Sequence, residues 1–366
     1  MAFQNICILG HTGNVGKELV KQVVALDGED QGHDNPTRIV GLVNTKGFLI
    51  NPTGIPNPEA LTDRTTFQTT ATPHTTEDPL QNVYNNICSL GLKDDIVFVD
   101  ATADASDTML GLHRLVVSNQ QKLVTANKNP ISLFTYEDFQ ALTENRSLYR
   151  FNASVMAGGD AIPFVQDALD TQNKLHTLQG CFSGTLGYIT SELQKNRKFS
   201  EIVREAKEKK FTEPHPWDDL NGLDVARKLL ILVRTSGLPV TKEQLSITPM
   251  IPASYGDITD SDEFLESLKK EDENISQQVK KAEDEGNVLR YVAEYDFNHP
   301  EAGLKVQFKP VKKTSPLGQL QGTKNMIQIQ SSIRNIDITT EGAGVEITAN
   351  ALRRDLLYFL PNRKHQ

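Results

Sequence analysis

Short apolar runs alternate with stretches of helical periodicity over residues 1–150. Residues 3–9 form an apolar run that ends in a glycine-rich turn, and from residue 15 to 26 apolar side chains recur at helical spacing. The first pattern is typical of a buried strand and the second of an amphipathic helix. Further strands are predicted at residues 38–43, 95–100 and 122–125, and helices at residues 80–90, 109–119 and 136–145.

This alternation predicts an α/β domain, a Rossmann-type doubly wound parallel sheet, for residues 1–151. Within it, the Thr-rich segment 61–79 is expected to be a loop. The pattern changes afterwards, and residues 152–335 are predicted to form an α+β substrate-binding or dimerisation domain with a mixed sheet. Its strands are predicted at residues 175–182, 289–297, 304–310 and 325–332, its glycine-rich turn at 183–187, and its helices at 188–195, 220–235 and 261–285.

Composition narrows the function classes. The chain has 366 residues, a net charge of −9 and no basic tract, which disfavours nucleic acid because phosphate backbones require clustered Lys and Arg. Cys7, Cys88 and Cys181 lack CxxC or Cys/His spacing, so neither a disulfide framework nor a structural zinc site is expected. The sequence has no recognisable signal peptide or membrane-spanning segment, and a cytoplasmic protein is expected.

The turn after the first predicted strand reads Gly10-His-Thr-Gly13-Asn-Val-Gly16 and leads into the first predicted helix. Glycines there let backbone N–H groups approach a pyrophosphate, which the positive end of the helix dipole also attracts. The strand-turn-helix context favours nucleotide binding over a merely structural turn. The GxxGxxG spacing departs from GxGxxG, however, and keeps other Rossmann-like reductases open. The expected cofactor contacts in this turn are Gly10, Thr12, Gly13, Asn14 and Val15.

The second predicted strand ends in Asn44-Thr45-Lys46. A carboxylate at this place would accept hydrogen bonds from the ribose 2′-hydroxyl and repel a 2′-phosphate. Asn44 lacks that charge and Lys46 can neutralise a phosphate, although Lys46 also fits an ordinary solvated loop lysine. The pattern favours NADP, with NAD as the other possibility.

Two more apolar runs end in polar residues, at Ala101-Thr102-Ala103 and at Asn127-Lys128. The carboxyl ends of strands form the ligand crevice of such a sheet. Thr102 and Asn127 can reach ribose or amide groups and Lys128 can hold an anion, although a lone lysine is more often a surface residue.

An acidic segment surrounds one lysine between residues 213 and 228. Asp224 and Lys228 are spaced i, i+4 and emerge on one face of the predicted helix, for which Asp219 is a candidate N-cap. Such a pair is often a surface ion pair that stabilises little. In the other interpretation, Asp224, Lys228 and Glu213 form a substrate site. The carboxylates would bind a small cationic amine, and the lysine would be the proton donor, because a desolvated lysine can exchange a proton.

These segments resemble homoserine dehydrogenase over nearly the whole chain. The resemblance is carried by residues 125–130, 182–188 and 213–228, of which Asp219-Leu-Asn-Gly-Leu-Asp-Val-Ala-Arg-Lys228 is highly specific. Residues 315–317 and 322–325 are similar to a substrate-domain element of the family. Residues 342–349 are similar to its C-terminal return to the nucleotide domain, so that 336–366 would complete the first domain.

The resemblance implies reversible reduction of L-aspartate 4-semialdehyde to L-homoserine with NAD(P)H, a step in threonine, methionine and isoleucine biosynthesis. It implies that Lys228 donates the proton as hydride arrives, with Lys128 between nicotinamide and substrate. Gly342 and Gly344 would lie at the cofactor. A small-molecule substrate and a homodimer through the second domain are the expected partners. The substrate would be bound by Glu213, Asp219, Asp224, Gly184, Thr185 and Tyr188.

One departure from the family concerns a monovalent cation. Asn152 stands where a glutamate would help hold sodium or potassium, and Asp160-Ala161 resembles an insertion. Main-chain carbonyls of Val155 and Ala157 remain the candidate ligands, with Asp160 as a substitute charge. Because the sequence ends soon after Gly342, a short monofunctional form without a C-terminal regulatory domain is expected.

Three alternatives stay open. An aspartate-semialdehyde dehydrogenase shares the glycine spacing but needs an activated cysteine, for which Cys88 and Cys181 lack the context. Another NADP-dependent reductase of an amino-acid pathway is the second alternative. The third is a dinucleotide sensor without catalysis, which the presence of Lys228, Asp224 and Glu213 disfavours.

Overall fold

The computed structural model describes residues 3–28, 36–93, 96–342 and 344–360. The chain divides into two compact units. The first comprises Met1–Gly158 together with Gly344–Gln366, and the second comprises Gly159–Ala343. Among the described residues, no helix combines the length and apolarity that crossing a membrane requires.

The first unit is built on a seven-stranded sheet of order β4-β3-β2-β1-β5-β6-β7. The five strands from β2 to β7 in this order are parallel, and β3 and β4 extend the sheet in antiparallel fashion. The strands are β1 (Gln4–Leu9), β2 (Thr37–Val43), β3 (Gly47–Ile50), β4 (Thr72–Pro73), β5 (Ile96–Asp100), β6 (Lys122–Thr125) and β7 (Tyr149–Arg150). The helices between them are α1 (Asn14–Asp27), α2 (Arg64–Thr70), α3 (Pro79–Ser89), α4 (Asp107–Ser118), α5 (Asn129–Ser132) and α6 (Tyr136–Thr143).

A C-terminal helix, Val345–Tyr358, is part of the first unit's core. Its buried Ala349, Leu352 and Leu356 join the apolar cluster that contains Ile6 and Val20. The Gln4 side chain donates to the Leu356 carbonyl oxygen at 2.8 Å, which ties β1 to this helix. The first unit therefore assembles around both ends of the chain.

The second unit contains a six-stranded mixed sheet of order β13-β12-β8-β10-β11-β9, antiparallel except for the β9–β11 pair. The strands are β8 (Leu175–Cys181), β9 (Leu245–Ile247), β10 (Asn287–Asp296), β11 (Leu304–Lys312), β12 (Asn325–Ser331) and β13 (Ile336–Thr340). The helices are α7 (Ala161–Asp170), α8 (Gly184–Leu193), α9 (Phe199–Glu208), α10 (Trp217–Leu220), α11 (Leu223–Thr235), α12 (Ser261–Ser267), α13 (Asp272–Asp284) and α14 (Pro316–Gln319).

The predicted fold class is confirmed: a mainly parallel sheet and a mixed sheet, each with helices. The chain returns to the first unit at Gly344 rather than at 336, because β13 pairs with β12. Residues 152–158 belong to the first unit, not to the second. Of the predicted ranges, residues 1–2, 29–35, 94–95, 343 and 361–366 lie outside the described residues.

Several local predictions are wrong for identifiable reasons. The expected loop 61–79 contains α2, which Asp63 caps by accepting from the Thr66 N–H at 2.9 Å and which buries Phe67. The expected turn 183–187 is largely the first turn of α8, which Ser183 caps. The predicted helix 261–285 is interrupted by a 3₁₀ turn, Leu268–Glu271.

Candidate functional site

The glycine-rich turn joins β1 to α1 as the sequence predicts. The Gly10 N–H donates to the Val43 oxygen at 2.9 Å, and Gly13 is the N-cap residue of α1. A Cβ on Gly16 would lie 2.3 Å from the Gly10 oxygen, so this close main-chain contact requires glycine. Since the first turn of α1 carries no acidic residue, its N–H groups present a positive end that suits a phosphate.

Asn44 uses its side chain to shape the turn that follows β2. Its Oδ1 accepts hydrogen bonds from the Lys46 N–H at 2.8 Å and the Gly47 N–H at 3.2 Å. The His74 ring donates from Nε2 to the Asn44 carbonyl at 2.9 Å and braces the turn. Lys46 itself is exposed. The neutral Asn44 amide is therefore bound within the turn, whereas the Lys46 ammonium group is on its solvent side.

The polar residues after β5 and β6 face one buried carboxylate. Thr102 donates from Oγ1 to Asp100 Oδ1 at 2.6 Å, and Asn127 donates from Nδ2 to Asp100 Oδ2 at 3.0 Å. Both side chains are thus hydrogen-bonded within the protein, and their predicted reach to ribose or amide groups stays a prediction. Asp100 itself was not singled out from the sequence, although a charge at the end of a buried strand was a visible signal.

The backbone around these side chains carries the remaining cofactor candidates. The Ala101 N–H donates to the Leu9 oxygen at 3.1 Å, which holds this loop beside the end of β1. The Ala103 oxygen accepts from Asn129 Nδ2 at 2.9 Å. Lys128 is half-buried at the N-cap position of α5.

Lys228 lies in α11 and is buried, with 9% of its surface exposed. Its Nζ donates to the Phe182 oxygen at 2.7 Å and forms an ion pair with Asp224 Oδ2 at 2.6 Å. The Asp224 side chain is 44% exposed. Burial of the lysine does not fit an ordinary surface ion pair. The pair instead connects a buried ammonium group to a solvent-accessible carboxylate.

Asp219 lies in α10 and is not the N-cap of α11, contrary to the sequence prediction. The N-cap residue is Gly222, with φ of 76°, where a Cβ would lie 1.9 Å from the Tyr291 hydroxyl. Asp219 Oδ2 accepts from the Glu213 N–H at 2.8 Å. Burial raises the pKa of Asp219 to about 6, and the nearby Glu213 and Asp224 carboxylates add to the shift.

This raised pKa predicts a pH-dependent stability. The ordinary value for an aspartate is 3.8, so between about pH 4 and 6 the folded chain binds a proton that the unfolded chain has lost. Stability contributed by Asp219 is therefore present below this window and is lost as the pH rises through it. We expect Asp219→Asn to raise Tm at pH 7.5 and to leave it nearly unchanged at pH 3.8, as measured by differential scanning calorimetry. Asp218→Asn removes an exposed neighbouring charge and should show no such contrast. An equal Tm shift at both pH values would contradict the prediction.

The N-terminal end of α8 brings together most of the remaining substrate candidates. The Thr185 hydroxyl donates to the Phe211 oxygen, and the Tyr188 and Phe211 rings meet edge to face with centroids 5.1 Å apart. A Cβ on Gly184 would lie 3.0 Å from the Thr323 oxygen, and a Cβ on Gly342 would lie 2.3 Å from the same oxygen. Gly342 therefore packs within the second unit, whereas Gly344 is the N-cap residue of the C-terminal helix in the first.

The homoserine dehydrogenase family model matches residues 161–357, more than half of the chain. The chain belongs to the homoserine dehydrogenase family. This confirms the resemblance found in the sequence and leaves the aspartate-semialdehyde dehydrogenase alternative without support. Members of this family are nicotinamide-dependent oxidoreductases acting on CH–OH groups.

Individual relatives agree with this family. The chain is 37% identical, over 71% of its length, to bifunctional aspartokinase/homoserine dehydrogenase 1 of Arabidopsis thaliana, and it spans 29% of that protein. It is 32% identical, over 72% of its length, to homoserine dehydrogenase of Saccharomyces cerevisiae, of which it spans 74%. The fold resembles that of a hyperthermophilic archaeal homoserine dehydrogenase mutant in complex with NADPH, with a TM-score of 0.70, 16% identity and coverage of 99% of this chain and 100% of that chain.

The cation site that the homoserine dehydrogenase family implies does not fit the side chain at position 152. Asn152 donates from Nδ2 to Asp355 Oδ1 at 2.6 Å and from its N–H to Asp355 Oδ2 at 3.1 Å. Val155 and Ala157 are buried, and the described residues contain no group of three or more His, Cys, Asp or Glu that could hold a metal ion. The amide at 152 thus acts as a hydrogen-bond donor to a buried carboxylate.

Proposed function

We propose that the chain is an NADP-dependent homoserine dehydrogenase that interconverts L-aspartate 4-semialdehyde and L-homoserine. The observation that carries the proposal is the Lys228 ammonium group, held at 2.7 Å and 2.6 Å by Phe182 and Asp224. It lies within the segment that the family model matches. A buried cation with a solvent-accessible partner is suited to delivering a proton and recovering it.

In the proposed reaction, Lys228 protonates the carbonyl oxygen as the aldehyde is reduced to the alcohol, and the bound cofactor would supply the hydride. An ammonium group has three N–H donors, and the two described contacts orient it while leaving a third donor for the substrate. Asp224 then supports return of the proton from solvent. Glu213 and Asp219 supply negative charge for the substrate's amino group, and Gly184, Thr185 and Tyr188 shape its binding loop.

The cofactor is assigned to the first unit. Gly10 and Gly13 shape the turn, because their N–H groups donate to the Val43 and Gly10 oxygens. The N–H groups at Thr12, Asn14 and Val15 suit the pyrophosphate. The loops with Ala101, Thr102, Ala103 and Lys128 suit the nicotinamide half. Gly344, the N-cap residue of the C-terminal helix in the same unit, is a further candidate contact. The NADPH complex of the archaeal neighbour supports a nicotinamide dinucleotide. Nicotinamide carries the hydride, while this chain binds and orients it.

Turnover is tested by NADPH oxidation at 340 nm with L-aspartate 4-semialdehyde. We expect oxidation that depends on the semialdehyde, and the reverse reaction with L-homoserine and NADP. Binding of NADPH without turnover would favour a dinucleotide sensor instead. Turnover of a different aldehyde alone would favour another reductase.

We further propose that the chain forms a homodimer through the second unit. Light scattering tests this proposal, and the expected mass is twice that of the chain.

Cofactor choice is expected to depend on Asn44. Asp at this position keeps the oxygen that accepts from Lys46 and Gly47 but adds a charge that repels a 2′-phosphate. We expect wild type to prefer NADPH, and Asn44→Asp to lower the ratio of kcat/KM for NADPH over NADH by roughly tenfold, the effect of about 1.4 kcal/mol.

A matched control is available at Asn51. Its Oδ1 also accepts from its own turn, at the Thr53 N–H at 3.1 Å, so Asn51→Asp adds the same charge in similar geometry. The NADPH/NADH ratio should not change in this variant. A wild-type preference for NADH would show that the proposed role of Asn44 and Lys46 is wrong.

A further inference from the structure

Asp100 is a charged residue at the carboxyl end of β5 with none of its surface exposed. Its two carboxylate oxygens accept four hydrogen bonds in pairs. Oδ1 accepts from the Thr102 N–H at 2.9 Å and the Thr102 hydroxyl at 2.6 Å. Oδ2 accepts from His113 Nε2 at 3.1 Å and Asn127 Nδ2 at 3.0 Å. A buried carboxylate that is saturated with donors is well compensated.

One side of this network faces the protein core. His113 lies in α4, fully buried, and its Nδ1 is 2.8 Å from the hydroxyl of Tyr149 on β7. Burial alone would raise the pKa of Asp100, but the hydrogen bonds from His113 and Thr102 outweigh it and lower the pKa below 3.8. Asp100 therefore remains a carboxylate at neutral pH, able to accept all four bonds.

The other side of the network faces two loops. Asn127 Nδ2 also donates to the Asp104 oxygen at 2.8 Å, and Asn127 Oδ1 accepts from the Asn129 N–H at 3.0 Å. Asn129 Nδ2 in turn donates to the Ala103 oxygen. Asp100 thus joins residues 101–104, after β5, to residues 126–129, after β6, through side chains that meet at a single carboxylate.

We infer that Asp100 is a positioning residue for the dinucleotide, which fixes the two loops that present Ala101, Ala103 and Lys128 to the nicotinamide half of the cofactor. The inference rests on the proposed function, because it requires the cofactor to bind at these loops. Asp100 has no surface through which to touch a ligand, so it acts through Thr102 and Asn127. Preorganised loops bind more tightly because less freedom is lost on binding.

The test compares two variants that remove different sides of the network. Asp100→Asn keeps the shape but replaces one acceptor oxygen with an NH₂ group, which faces a donor in either orientation, of Thr102 or of Asn127. Tyr149→Phe removes the hydroxyl on the core side and leaves Thr102 and Asn127 bound to Asp100. Titration of protein fluorescence with NADPH gives Kd, calorimetry gives Tm, and steady-state assays give kcat at saturating NADPH.

We expect Asp100→Asn to raise the Kd for NADPH roughly tenfold, consistent with one lost hydrogen bond to a charged group, and to change kcat less than Kd. Tyr149→Phe should lower Tm and leave Kd unchanged. Should Asp100→Asn not fold, Asn127→Ala removes the bonds to Asp100 and to the Asp104 oxygen, together with the bond from the Asn129 N–H, and should also raise Kd.

Equal Kd for wild type and either loop-side variant would overturn the inference. So would a rise in Kd for Tyr149→Phe as large as that for Asp100→Asn, because the network would then act only through stability. Absence of NADPH binding by wild type would instead refute the proposed function.

Discussion

Replacing Lys228 with alanine is expected to lower kcat by about 10²- to 10⁴-fold, the range for loss of a positioned general acid. The carbonyl oxygen would then carry developing negative charge without the buried ammonium group that neutralises it. The Kd for NADPH should remain near that of wild type, because the cofactor is assigned to the other unit. Stopped-flow measurement of NADPH oxidation and fluorescence titration separate these two quantities.

Lys198→Ala is the matched control for Lys228→Ala. It removes the same charge from a side chain that is 69% exposed, and we expect wild-type kcat. If Lys228→Ala lost NADPH affinity and Tm in proportion to kcat, Lys228 would have a structural role and the proposed proton transfer would be wrong. Lys228→Arg, which restores a cation but not the point geometry of an ammonium group, should recover stability more than kcat.

Placing a methyl group on Gly16 is the second change with a large expected effect. The Cβ would lie 2.3 Å from the Gly10 oxygen and 2.6 Å from His11 Cα, so the turn must open before alanine fits. Overpacking of this kind costs about 1–3 kcal/mol, and displaced N–H groups no longer converge on the pyrophosphate. We expect Gly16→Ala to raise the Kd for NADPH roughly 10- to 100-fold.

Gly111 provides the comparison for Gly16. A Cβ there meets no atom within 4 Å, and Gly111 lies inside α4, where alanine is the better helix former by about 1 kcal/mol. Gly111→Ala should raise Tm and leave Kd unchanged. NADPH affinity of Gly16→Ala equal to that of wild type would show that the dinucleotide does not use this turn.

The sequence was informative about local periodicity and much less so about contacts between distant segments. Strand β6 was predicted at its observed bounds, because a short apolar run between turns has few alternatives. The start of α11 was misjudged. Asp219 is a residue type that is common at N-caps, but the N-cap of α11 is Gly222. The Tyr291 hydroxyl, more than sixty residues later in the sequence, occupies the place where a Cβ on Gly222 would lie. The spacing of nearby residues in the sequence cannot predict a tertiary contact of this kind.

The candidate site shows the same division. The i, i+4 spacing of Asp224 and Lys228 predicted their contact, whereas the Phe182 oxygen that also binds Lys228 could only be found in three dimensions. Thr102 and Asn127 were correctly placed at strand ends, yet their direction depends on the buried Asp100 between them. Helix α9 was missed although Phe199, Ile202, Val203 and Ala206, all buried, follow helical spacing.

The C-terminal helix determines when the first unit can complete its folding. Because Ala349, Leu352 and Leu356 complete the core around Ile6 and Val20, a ribosome must synthesise the whole second unit before the first can close. During translation, β1 emerges long before the helix that packs in the same core. The first unit, although it begins the sequence, is therefore the last to complete its core.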